Sequence, residues 1–205
     1  MVRVHSLLPS ESEVSVMGFH ARAIDKSQRH LSEVQRKVNR WMSGMQDRMR
    51  NMAEAVALSY VLCLGTLAMH EVAHLVVLYA MGGTGALLIV PWRLGSMNHY
   101  IYGLHVEPSQ PLTVANQALL NFLGPVLATV PLGFLLYFVR DRIPRISLIS
   151  NILILVFFAL LESSYELLES ALNRDIGILG SPEFNIGVPI LIILFTAYRG
   201  VWKKV

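Results

Sequence analysis

Charge is scarce in this chain. Lys, Arg, Asp and Glu make up 15% of its 205 residues, against about 25% in a typical soluble domain. Hydrophobic residues make up 54%, and mean hydropathy is +0.50. That balance argues against a water-soluble globule and for a chain that meets lipid. Cysteine is almost absent: Cys63 stands alone, which excludes an intrachain disulfide and leaves the redox compartment unread. A net charge of +3 is too small to point to nucleic acid, and it fits better with basic flanks against anionic lipid. The first twenty residues contain no continuous apolar segment, so no signal peptide is expected there. Residues 1–20 are expected to be a flexible tail.

What the chain does have is long apolar runs. Residues 55–81, 117–139, 146–168 and 186–202 are each long or apolar enough to be read as membrane-spanning helices, since a bilayer core takes roughly 20 apolar residues as helix. Before them, residues 21–52 carry Ile24, Leu31, Val34, Val38, Trp41, Met45, Met49 and Met52 at helical spacing, interleaved with Arg and Lys. A helix with one apolar and one basic face can lie in the lipid interface or pack on a neighbour or a second subunit. The expected organisation is thus a tail at 1–20, a basic amphipathic helix at 21–52 and a multi-span membrane domain at 53–205.

Inside the first run stands His70-Glu71-Val72-Ala73-His74, which reads H-E-x-x-H. On a helix, His70 and His74 lie four apart on one face. Two imidazoles at that spacing can bind one tetrahedral Zn²⁺, leaving positions for a third ligand and a water. Glu71, one step round the helix, can take the proton from that water. Ionisable side chains are costly in a membrane helix and usually mark function. The plainer alternative is a pair of buried histidines satisfied by polar neighbours without a metal.

Residues 86–115 are not a span. The runs 86–90 and 100–106, separated by turn-like Gly95-Ser96-Met97-Asn98, predict a β-hairpin. In a membrane such backbone needs shielding by protein or a wet cavity. The hairpin is either a plain connector or an edge onto which an extended substrate adds as a strand. His99 and His105 fall here and are within conceivable reach of a metal. The second run carries Asn121-Phe122-Leu123-Gly124-Pro125, whose Gly124 and Pro125 predict a close helix approach and a bend. In the first run, Gly65, Ala68 and Ala73 are small enough to let a helix approach closely. Glu162, Glu166 and Glu169 end the third run on one face; they form a hydrated polar rim or turn one carboxylate toward a metal.

Basic residues set the expected orientation. Four spans with both termini in the cytoplasm place fifteen of the seventeen Lys and Arg residues inside and only Arg93 and Arg174 outside. The histidine half of the first helix, the hairpin and Asp175 then lie toward the outer side of what is expected to be the cell membrane.

Taken in order, three features resemble the site-2 protease family of intramembrane zinc metalloproteases, and more loosely its small multi-span zincin-like relatives. They are H-E-x-x-H in a membrane helix, Asn121-x-x-Gly124-Pro125 beginning a later one, and an aspartate in the loop after the next. The resemblance covers about residues 53–180. It implies an all-α membrane fold with a hairpin between the first two core helices, zinc as cofactor, and a membrane protein substrate. Residue by residue, it implies His70, His74 and Asp175 as zinc ligands and Glu71 as the catalytic base. Glu166 or Glu162 are the rivals for the third ligand. The family's sites often open toward the cytosol, whereas the charge pattern turns this one outward. Two other classes stay open: a non-catalytic zinc-binding membrane chaperone or regulator, and a metal carrier in which the histidines and the three glutamates line a path.

Overall fold

The computed structural model describes the backbone of residues 11–93, 100–173 and 181–202. The expected turn at 95–98, His99 and Asp175 lie outside the described residues. Helix α1 spans Glu11–Ala80, followed by strands β1 (Gly85–Arg93) and β2 (Tyr100–Pro108), then α2 (Val114–Phe138), α3 (Arg142–Leu172) and α4 (Pro182–Trp202). Among the described residues the protein is mostly helical, with four helices long and apolar enough to cross a membrane and one antiparallel hairpin between the first two. This fits a membrane protein.

The expected boundary near residue 52 falls inside α1, which is assigned as helix from Glu11 onward. Two compact units nevertheless divide the chain, Met1–Met49 and Arg50–Val205. In the first, the apolar side chains Leu31, Val34, Val38, Trp41 and Met45 are all exposed. Lys37 and Glu33 pair one turn apart at 3.2 Å.

In the second unit, α1 ends where its glycines allow. Gly82 adopts a positive φ of 80°, the Gly82 N–H bonds to the Tyr79 carbonyl and the Gly83 N–H to the Leu78 carbonyl, both at 3.0 Å. These two bonds satisfy carbonyls that the helix end would otherwise leave open. The chain then enters β1, and the pairing Gly85↔Pro108 through Arg93↔Tyr100 extends both strands beyond their expected limits. Thr113 begins α2, its Oγ1 accepting from the Asn116 N–H at 3.3 Å. Asn173 closes α3 at φ 47°, a left-handed conformation that asparagine tolerates. The third helix therefore runs past its expected end. At the other end of the unit, the Arg142 guanidinium donates to the Gly200 and Val201 carbonyls, placing a cation on the open carbonyls that end α4.

The unit is held by a polar seam as well as apolar packing. Among the described side chains of α1, a buried stripe recurs at helical spacing: Ala55, Ser59, Cys63, Thr66, His70, His74 and Val77. From Ala55 to His70 this stripe meets α3, and at His74 and Val77 it meets α2 and the hairpin. Ser147 Oγ donates to the Ala55 carbonyl at 3.2 Å, and Asn151 Nδ2 donates to the Ser59 carbonyl at 3.1 Å. Each partner lies 92 residues further along the chain, so α1 and α3 run parallel in a constant register. Apolar clusters complete the contacts: Ala73 with Ala128, Leu132, Leu148 and Leu155, and Cys63 with Ile154, Phe158 and Ile193. Ala73 thus serves the close packing expected of it. Gly65 does not; it is exposed, and a Cβ there would meet nothing.

Candidate metal centre

His70 and His74 occupy the buried stripe of α1, and both are nearly inaccessible, at 3% and 7% exposure. Their Nε2 atoms face each other at 3.1 Å, with ring centroids 4.4 Å apart and planes at 76°. The i,i+4 spacing alone brings the residues to one face; three neighbours orient the rings. Phe158 of α3 stacks on His70 with centroids 6.1 Å apart and planes at 28°. Gly124 of α2 lies flat against His74, where a Cβ would overlap the imidazole ring. The close approach expected at Gly124 is therefore made, and what it approaches is the second histidine.

The third neighbour is Glu162. The α1–α3 offset that joins Ser59 to Asn151 carries His70 onto Glu162, and its Oε2 lies 3.7 Å from His70 Nε2 and 3.9 Å from His74 Nε2. Glu166, one turn on, is turned away: its Oε1 accepts from Asn121 Nδ2 of α2 at 3.4 Å, and Asn121 Oδ1 accepts in turn from Gln117 Nε2 at 2.9 Å. Of the two alternatives for these glutamates, a hydrated rim or one carboxylate turned toward a metal, the geometry separates Glu162, beside the histidines, from Glu166, on Asn121.

Glu71 takes a different position. Its Oε2 accepts the Val106 N–H of β2 at 3.2 Å and lies 4.0 Å from His74 Nδ1. The hairpin is packed over the site, with Val106 buried among Val77, Leu78 and Leu120. Because the Val106 N–H points to Glu71, it points away from β1. By the alternation of an antiparallel ladder, the Leu104 N–H and carbonyl face the same outer edge. His105, by contrast, is exposed and takes no part in the cluster.

Ligand atoms of His70, Glu71 and His74 lie within 4.8 Å of one another. The donor set suits zinc. Bonds of about 2.0–2.1 Å in a tetrahedral site put neighbouring ligand atoms roughly 3.3 Å apart, close to the 3.1 Å between the two Nε2 atoms. A cavity of about 350 Å³ opens beside them, lined by His70, Glu71, Glu162 and Phe158 and by Gly103 and Leu104 of the hairpin. That volume lies within the usual range for a ligand site. Two contributions were not legible from motif spacing: the Val106 N–H, a backbone group with no residue signature, and Phe158, one apolar residue among many. The parallel packing of α1 on α3 would have flagged Glu162 had the polar residues Ser59 and Asn151 been paired first.

Compared with known proteins, the chain matches no family model, no curated protein and no solved structure.

Proposed function

We propose that this chain is an intramembrane zinc metalloprotease of the site-2 protease kind, hydrolysing peptide bonds in or near the transmembrane segments of membrane protein substrates. The observation that carries the reading is the pair of buried Nε2 atoms 3.1 Å apart in a span-length helix, with Glu71 in the same cluster and a cavity at its side. His70 and His74 would hold the zinc. Bound there, zinc would supply Lewis acidity, acidifying water and polarising the scissile carbonyl.

The chain's own groups do the rest. Glu71 accepts a proton from the attacking water and returns it to the leaving amine, so that hydroxyl ends on the carbonyl carbon and the proton on nitrogen. The Val106 N–H holds the Glu71 carboxylate at the cavity wall. The outer edge of β2 at Leu104 offers a backbone donor and acceptor to an extended segment. A substrate helix must unwind locally to be cut, because its own hydrogen bonds occupy the scissile carbonyl; pairing with β2 compensates the backbone groups so freed. The basic residues orient the chain with both termini in the cytoplasm of a cell membrane, and the site in the outer half.

A carrier would need several equivalent stations along a path. Against that, Glu166 is engaged with Asn121, leaving one compact cluster rather than a series. A purely structural metal site has no use for a glutamate such as Glu71 beside its ligands. The test is zinc content of the purified chain together with cleavage of a co-expressed membrane-anchored substrate. His70→Ala and His74→Ala are expected to lose both; retention of cleavage by either variant would refute the reading.

A further inference from the structure

We infer that Glu162, on the third helix, is the third zinc ligand, in place of the Asp175 that the family resemblance implies. The inference rests on the reading of His70 and His74 as ligands and adds the residue that completes their set.

Three observations converge on it. First, the three donor atoms form one triangle: Nε2 to Nε2 is 3.1 Å, and Glu162 Oε2 stands 3.7 and 3.9 Å from them. A tetrahedral site needs roughly 3.3 Å on each edge, so a shift of about half an ångström by one flexible carboxylate closes the triangle. Both histidines present the same nitrogen to that point, which leaves each Nδ1 for an outer partner.

Second, the other described carboxylates near the site, Glu71 within the cluster and Glu166 beyond it, each accept a hydrogen bond from a group other than the histidines. Glu71 Oε2 lies on the Nδ1 side of His74 and takes the Val106 N–H; Glu166 takes the Asn121 amide. Glu162 is the one whose oxygen faces both Nε2 atoms. Its side chain is 31% exposed, on the cavity that borders the histidines. Water and substrate can therefore approach a fourth position from the side that Glu162 leaves open.

Third, the position of Glu162 is set by the helix pair rather than by its own flexibility. The same 92-residue offset that bonds Ser147 to Ala55 and Asn151 to Ser59 places Glu162 at His70. Along both helices the distance from the seam at Ala55 and Ser147 to the site is fifteen residues, roughly 22 Å of helix. A ligand carried by a packed helix is positioned more tightly than one carried by a loop. One anionic ligand also lowers the net charge of a divalent ion in an apolar setting, where an uncompensated charge is costly.

The full-length chain is purified in a Cys63→Ala background, loaded with zinc and, separately, with cobalt. Glu162→Ala is expected to weaken zinc binding by roughly 100-fold or more, since loss of a mere outer-shell partner already costs 10–100-fold. Asp175→Ala is expected to leave zinc affinity unchanged. Glu162→Cys is the decisive variant: it is expected to retain cobalt and to gain a thiolate-to-cobalt charge-transfer band that the parent lacks, a signal that a carboxylate merely pairing with a protonated histidine would not produce. Retained metal also certifies that the variant has folded. Parental zinc affinity in Glu162→Ala, a cobalt-loaded Glu162→Cys without the band, or zinc loss in Asp175→Ala alone would overturn the assignment while leaving the metalloprotease reading intact. A folded parent that binds no zinc would instead refute that reading itself.

Discussion

Gly124→Ala tests whether the close contact between the second helix and His74 is part of the metal site. The added Cβ would overlap the far edge of the imidazole and stand only 2.7 Å from its Cγ, where carbon atoms rest at about 3.5–4.0 Å. The ring cannot retreat freely, because His70 lies edge-on to it with centroids 4.4 Å apart. Forcing one methyl into a packed interior costs about 1–3 kcal/mol. Metal ligands tolerate only about 0.2 Å of misplacement, so the strain should fall on zinc binding. At about 1.4 kcal/mol per factor of ten, zinc affinity is expected to fall roughly 5–150-fold. Replacing glycine by alanine also favours helix by up to about 1 kcal/mol, which would mask part of a global stability change. Gly133→Ala, in the same helix but with open space at its Cβ, carries that gain without the clash and is the control. Both variants are compared by chelator competition for zinc in detergent. Gly124→Ala binding zinc as tightly as Gly133→Ala would refute the packing argument.

Two further outcomes are expected. Leu104→Pro removes a backbone donor from the outer edge of β2 without breaking a bond to β1; cleavage of a membrane substrate should fall at least about tenfold, the scale of one hydrogen bond of roughly 1.5 kcal/mol, with zinc content unchanged. Wild-type cleavage would exclude strand addition at that edge. In a Cys63→Ala background, cysteine at position 98 should react with an impermeant reagent added to intact cells while cysteine at 142 stays protected. The opposite pattern would invert the orientation drawn from the basic residues.

The helices were legible because their apolar runs are long, and the hairpin because β-favouring residues flank a turn. Boundaries were less so. Asn173 can close α3 in a left-handed turn, so the helix continued through the polar residues Glu166 and Glu169, and α1 carried on across the change of composition near residue 52. At the site, His70, Glu71 and His74 came together from spacing alone, which needs only one helix. Glu162 needed two: no local pattern separates it from Glu166, and only the parallel register of α1 and α3 turns one to the histidines and leaves the other to Asn121. Gly124 was legible as a place of close approach, but its partner was not, because one sequence does not state which helix faces which.

The central claim is that Glu71 acts on water at a metal held by its neighbours. The measurement that tests it most directly is zinc content and substrate cleavage in purified Glu71→Gln protein. The amide keeps the size of the side chain and can still accept the Val106 N–H, but it has no carboxylate to take a proton. Zinc is expected to stay at the wild-type level while cleavage falls by roughly 10²–10⁴-fold, the usual contribution of a general base. Undiminished cleavage by zinc-loaded Glu71→Gln would contradict the account.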